Sequence, residues 1–154
     1  MNVAAAGTNV TVNNGGVLDA TTFTLTVSGT FTLDAGSTFK QGGGVTAMPG
    51  VTRAFDNNST VIFNGTQTSI TGYFTFGNLT WSAASSTPAG NLQVNGNLTI
   101  LAGNLRGSTG STTTTRTHTV SGNVVIDGAT ALLIGTNATA AGTGTCETGM
   151  EPAK

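Results

Sequence analysis

Charge is scarce in this 154-residue sequence: only 7% of its residues are Asp, Glu, Lys or Arg, and the formal net charge is -1. Such a chain has little with which to neutralise nucleic-acid phosphates, so a nucleic-acid partner is not expected. Long apolar runs are also missing, and no stretch approaches the roughly 18 residues that a membrane-spanning helix needs. A membrane span is therefore not expected either.

Cysteine and histidine each occur once. Cys146 alone excludes a disulfide within the chain, and it is expected to be a free thiol in a mobile tail, with pairing to a second chain as the alternative. His118 alone excludes a His-rich metal site, and its place in the repeat favours a partly buried structural role. No metal site, cofactor or catalytic residue is predicted.

The helix formers Glu, Lys and Gln are also rare. The sequence is rich in Thr, which favours strands, and its 23 Gly residues favour bends. An almost helix-free, all-β protein is expected.

An internal repeat organises the sequence. Each copy reads Val, any residue, Gly, any residue, apolar, any residue, apolar, followed two or three residues later by another Gly. The copies are Val27/Gly29/Phe31/Leu33/Gly36, Val94/Gly96/Leu98/Ile100/Gly103 and Val120/Gly122/Val124/Ile126/Gly128. Alternating apolar and polar residues predict strands with one buried face, and the Gly between them predicts a bend. The predicted repeat core comprises Val27, Phe31, Leu33, Val94, Leu98, Ile100, Val120, Val124 and Ile126.

Repeats with one apolar face must stack to bury it, which predicts a parallel β-solenoid, or β-helix, of about five irregular coils. The last two copies are 26 residues apart, which is about one coil. We expect one solenoid domain over residues 1–135 and a flexible or strand-donating tail over residues 136–154. The alternative fold is an antiparallel β-sandwich in which an unpaired groove accepts a neighbour's strand.

Threonines alternate with the apolar residues and are expected to point outward. Regular Thr-x-Thr pairs on a flat face can order water, so an ice- or glycan-binding module is the alternative function. The candidate outward ladder comprises Thr22, Thr24, Thr26, Thr30, Thr32, Thr66, Thr68, Thr117 and Thr119.

The acidic residues do not form a recognisable catalytic pair. Asp34 and Asp127 occupy equivalent places in the repeat, just before a Gly, where Asp is an ordinary turn former. A glycosidase needs two carboxylates on either side of one bond, and the sequence gives no such signature. We therefore expect a protein that is not an enzyme.

Three segments resemble the repeats of large secreted bacterial surface proteins. They are residues 61–72 (VIFNGTQTSITG), 77–81 (GNLTW) and 94–100 (VNGNLTI). They are similar to haemagglutinin-like and autotransporter-like β-helix repeats, especially those of Bacteroidetes-type exported proteins, over roughly residues 8–135. The resemblance implies a stalk, an adhesin or a matrix scaffold.

Together, repeat, composition and resemblance predict a non-enzymatic extracellular or cell-surface protein that associates with copies of itself. No amphipathic helix that would cap a solenoid is found at either terminus, so the end coils are expected to expose unpaired strand edges. Either the chain is cut from a longer solenoid, or the next subunit occupies its ends. A filament is the expected homopolymer, with a glycan or a surface as a further possible contact. No signal peptide is visible, so secretion is inferred from composition and resemblance.

Overall fold

The computed structural model describes residues 5–42, 48–65, 70–71, 75–83, 89–106, 116–127, 132–134 and 144–148. These residues form 17 strands and no helix, and all the strand pairs among them are parallel. The predicted all-β parallel solenoid is confirmed, whereas an antiparallel sandwich is incompatible with these pairings. The solenoid has about four turns, compared with the predicted five or so.

Six strands stack in the longest sheet, hereafter the main sheet. They are β3 (Val17–Ala20), β6 (Thr38–Gln41), β8 (Thr60–Gly65), β10 (Asn78–Ala83), β12 (Leu98–Ala102) and β15 (Val124–Ile126). Successive strands are 21, 22, 18, 19 and 26 residues apart, as the Cα partners Val17–Thr38, Thr38–Thr60, Thr60–Asn78, Leu79–Leu98 and Leu98–Val124 show. The coils are thus irregular, as predicted.

Smaller sheets form the other faces of the solenoid. One has three strands: β2 (Val10–Val12), β5 (Thr30–Leu33) and β7 (Thr52–Phe55). Another has four strands: β9 (Thr75–Phe76), β11 (Gln93–Val94), β14 (Arg116–Val120) and β17 (Gly144–Thr148). Two further sheets pair β1 (Ala5–Gly7) with β4 (Leu25–Val27), and β13 (Asn104–Arg106) with β16 (Leu132–Ile134).

Alternate residues of the strands in the middle of the solenoid face a continuous apolar core, because side chains on a strand point to opposite faces in turn. β5, β6 and β10 show this pattern, with buried and half-buried residues alternating. Aromatic rings fill the core: Phe31 packs edge-on against Phe39 with ring centroids 4.9 Å apart, and Phe63 packs against Trp81 at 5.3 Å. Stacked coils therefore bury what a single repeat cannot.

Most of the predicted repeat core is buried, namely Val27, Phe31, Leu33, Val94, Leu98, Ile100 and Val120. The exceptions lie on β15: Val124 is only partly buried, and Ile126 is 49% exposed. Ile126 continues the inward column of Ile100, but β15 is the last strand of the main sheet in the described chain. Prediction of Ile126 as a core residue was therefore wrong, because a core position also needs a strand stacked above it.

The three repeat copies do not occupy equivalent faces of the solenoid. The bend at Gly29 lies between β4 and β5, and β5 stacks in the three-stranded sheet. The bends at Gly96 and Gly122 instead lead directly into β12 and β15 of the main sheet. The first copy is thus offset by one face from the other two, although its local pattern is the same.

Gly77 marks the place where this offset arises. Before it, four-residue turns at 13–16, 34–37 and 56–59 lead into the main sheet, whereas Gly77 alone joins β9 to β10. β9 does not pair with β7, and the step from β8 to β10 is only 18 residues, between Thr60 and Asn78. A shorter coil thus moves the Gly bend to the corner that precedes the main sheet.

Within the segment predicted as a tail, residues 144–148 form β17 and pair in parallel with β14. This part of the segment adds a strand to the four-stranded sheet. The predicted domain boundary at 135 lies outside the described residues.

Candidate functional surface

The acidic residues that the sequence singled out lie apart. Asp34 opens the turn between β5 and β6, where its carbonyl accepts a hydrogen bond from the Ser37 N–H at 3.0 Å. Asp127 follows β15 and is exposed. Asp34 thus has the predicted turn role, and the two carboxylates occupy different corners. Among the described residues, no group of three or more His, Cys, Asp or Glu side chains is placed to hold a metal ion.

Asp34 does lie one coil from a different carboxylate, that of Asp56. Their preceding residues, Leu33 and Phe55, are Cα partners, and both Asp residues line one open depression. The Asp56 Oδ1 accepts the Asn58 N–H at 2.7 Å, which ties it to its own turn. This pairing could have been anticipated only from the register of β5 and β7.

His118 is buried on β14 and is placed as the sequence predicts, in the column of Leu92. Its Nδ1 accepts a hydrogen bond from the Leu92 N–H at 2.9 Å. In the neutral imidazole the proton therefore resides on Nε2. On the other side, the backbone of Cys146 in β17 is the register partner of His118, so the single histidine and the single cysteine occupy adjacent strands.

The predicted threonine ladder is divided among several sheets. Thr26 lies on β4, Thr30 and Thr32 lie on β5, and Thr117 and Thr119 lie on β14. Thr22 and Thr24 are exposed between β3 and β4, and Thr66 and Thr68 are outside the described residues. These threonines alone do not form one continuous ladder.

A more extensive polar array lies on the outward face of the main sheet. Register places two outward columns side by side along this sheet. The first is Val17, Thr38, Thr60, Asn78, Asn97 and Asn123, counting the residues that immediately precede β12 and β15, and the second is Asp19, Lys40, Ile62, Thr80, Thr99 and Val125. Only the two N-terminal strands of this face, β3 and β6, carry a charged side chain.

Those two charges neutralise each other. Lys40 Nζ lies 3.5 Å from Asp19 Oδ2. The Thr21 hydroxyl and N–H donate hydrogen bonds to Asp19 Oδ1 at 2.7 and 3.0 Å. The hydrogen bond from the Thr21 hydroxyl, followed by that from its N–H and by Lys40, lowers the pKa of Asp19 below its usual value, so its carboxylate is ionised at neutral pH.

An asparagine ladder continues the first column. The Asn97 N–H donates to Asn78 Oδ1 at 2.9 Å, and the Asn123 N–H donates to Asn97 Oδ1 at 2.9 Å. The side-chain oxygen of each Asn thus accepts a hydrogen bond from the backbone of the next coil, at the bend that leads into the main sheet. The signal was the Gly-Asn dipeptide at residues 77–78, 96–97 and 122–123, which lies at the start of β10, β12 and β15.

Replacing Asn97 tests the ladder. We expect Asn97→Ala to lower the free energy of unfolding by about 1 kcal/mol, because the Asn123 N–H loses its acceptor. Asn97→Asp keeps an acceptor oxygen at this position and serves as the matched control. Urea unfolding followed by circular dichroism measures both, and equal losses in the two variants would contradict the role of the acceptor.

Two aromatic residues that could stack against a sugar lie in the core instead of on the surface. Phe76 and Trp81 are both fully buried, and Phe74 is outside the described residues. The outward columns of the main sheet contain no aromatic side chain.

None of the described residues belongs to a helix long and apolar enough to cross a membrane. Comparison with protein-family models, curated proteins and solved structures finds no match to this chain.

Proposed function

We propose that this protein is a non-enzymatic, extracellular or cell-surface structural protein whose solenoid associates end to end with copies of itself. The product is a filament, a stalk, or a matrix or adhesin scaffold. Low charge, the stacked repeats and the resemblance to secreted surface proteins support this assignment.

The observation that carries the proposal is the arrangement of strands at the two ends. β1, β2 and β3 are each the first strand of their sheets in the described chain, and β15, β16 and β17 are each the last. Such edges present unpaired N–H and C=O groups to another chain. Another copy of the same solenoid offers the same strand direction and a similar apolar core.

Exposed apolar residues lie on both edge strands of the main sheet. Val17 on β3 is 62% exposed, and Val125 and Ile126 on β15 are also exposed. Stacking on β15 would bury the inward Ile126, and stacking on either edge strand would shield part of the outward Val17 or Val125, which favours association.

A single N–H on the edge of β3 gives a selective test. Because the Gly16 carbonyl accepts the Thr38 N–H at 2.8 Å, backbone groups at Gly16 and Leu18 face β6, and those at Val17 face away. Val17→Pro removes this outward N–H, whereas Val17→Ala retains it. We expect Val17→Pro to raise the protein concentration needed for assembly about tenfold, since one hydrogen bond is lost at each junction.

Negative-stain electron microscopy and light scattering at several protein concentrations measure the assembly. Filaments in the wild type and in Val17→Ala, with fewer in Val17→Pro, would support the proposal. A wild type that remains monomeric at every concentration would refute self-association. Assembly of Val17→Pro at the wild-type concentration would show that the edge of β3 is not the contact between subunits.

A further inference from the structure

We propose that the outward face of the main sheet from β6 to β12 is a binding site for ordered water, of the kind presented by the surface of an ice crystal. The site, hereafter the hydroxyl array, consists of Thr38, Thr60, Thr80, Ser82 and Thr99. It is distinct from the strand edges and does not depend on end-to-end association.

Register places four of these hydroxyls in two neighbouring pairs. Thr38 and Thr60 are Cα partners on adjacent strands, as are Thr80 and Thr99. Ser82 follows Thr80 by two residues on β10. The two positions of each pair are therefore about 4.8 Å apart across strands, and Thr80 and Ser82 are about 6.6 Å apart along β10. Oxygen atoms on the faces of hexagonal ice repeat at distances of this order.

The hydroxyls of the array are available to a ligand. Within the described part of the chain, none of these five side chains makes a hydrogen bond. By contrast, the hydroxyls of Thr21 and Ser59 donate to Asp19 Oδ1 and to the Asp56 carbonyl, each at 2.7 Å. A free hydroxyl both donates and accepts, so it can take the place of a water molecule in a lattice.

The neighbours of the array also favour ordered water. β8, β10 and β12 carry no charged side chain, so no strongly hydrated ion disrupts a lattice on their outward faces. On β6, the Lys40 side chain beside Thr38 is paired with Asp19. Ile62 lies in the same column as Thr80 and adds apolar surface between the hydroxyls. A sugar would instead favour an aromatic ring for stacking, and this face has none.

Bulky substitutions distinguish this face from the other threonine-bearing faces. Thr80→Tyr places a ring in the centre of the array. Thr32→Tyr is the matched control, because Thr32 is also half-buried and outward on a strand, but lies on β5 in the three-stranded sheet. Circular dichroism before and after each measurement verifies that both variants keep the wild-type fold.

The probe is ice itself, through thermal hysteresis and adsorption to a growing ice hemisphere. We expect activity in the wild type, a loss of at least fivefold in Thr80→Tyr, and less than a twofold change in Thr32→Tyr. Absence of hysteresis and adsorption in the wild type would overturn the proposal, whatever its assembly state. Loss in Thr32→Tyr but not in Thr80→Tyr would overturn the placement on the main sheet. If Thr80→Tyr does not fold, Thr99→Lys provides the same test at the neighbouring position.

Discussion

Truncating Trp81 to Ala is expected to lower the free energy of unfolding by about 3–5 kcal/mol. Trp81 is fully buried, and it stacks between Phe63 on β8 and Ile100 on β12. Removal of the indole leaves a cavity in the middle of the main sheet, where strands on both sides limit collapse. A domain of ordinary stability has only about 5–15 kcal/mol to lose.

Urea unfolding followed by far-ultraviolet circular dichroism measures this loss without relying on the indole that is removed. The midpoint should fall by about 2 M for a typical dependence on urea. Val51→Ala is the control, because Val51 is 76% exposed and its truncation should change stability by less than about 0.5 kcal/mol. Equal midpoints for Trp81→Ala and the wild type would contradict the stacked core.

Local patterns in this chain were sufficient to predict strands, bends and the inward residues between them. Phe31, Leu98 and Ile100 are buried as their alternation requires, since a strand's two faces are set by side-chain period alone. His118 also lies where the repeat places it, beside Leu92.

The same patterns could not reveal which strand stacks on which. Phe31 and Leu98 are equivalent in the repeat, yet they lie on different sheets, because a Gly bend can occupy any corner of a coil. The predicted threonines are divided among several sheets for the same reason, whereas Thr80 and Thr99, which are 19 residues apart in the sequence, are Cα partners on β10 and β12. Pairing between coils is a property of the whole stack.

Replacement of Gly77 by Ala is expected to be nearly as damaging as loss of Trp81, through crowding rather than a cavity. A Cβ at this position would lie 2.5 Å from the Asp56 carbonyl oxygen, 2.6 Å from that of Ser59 and 2.7 Å from that of Asn57. All three atoms are backbone of the turn between β7 and β8, so no side chain can rotate away. The turn or β10 must move, at a cost of about 3 kcal/mol.

Gly15→Ala is the matched control for this prediction. Gly15 has φ of 69°, but no heavy atom lies within 4 Å of the position that a Cβ would occupy there, so its replacement tests backbone strain alone, at about 1–2 kcal/mol. Because Gly77 is where the short coil shifts the repeat by one face, its replacement should also loosen the contact of β10 with β8. Hydrogen exchange should then show faster exchange of amides in β8 and β10 in Gly77→Ala, while β3 stays protected. Protection of β8 and β10 equal to that of the wild type would mean that the corner tolerates a side chain, and that the offset between repeat copies does not depend on this glycine.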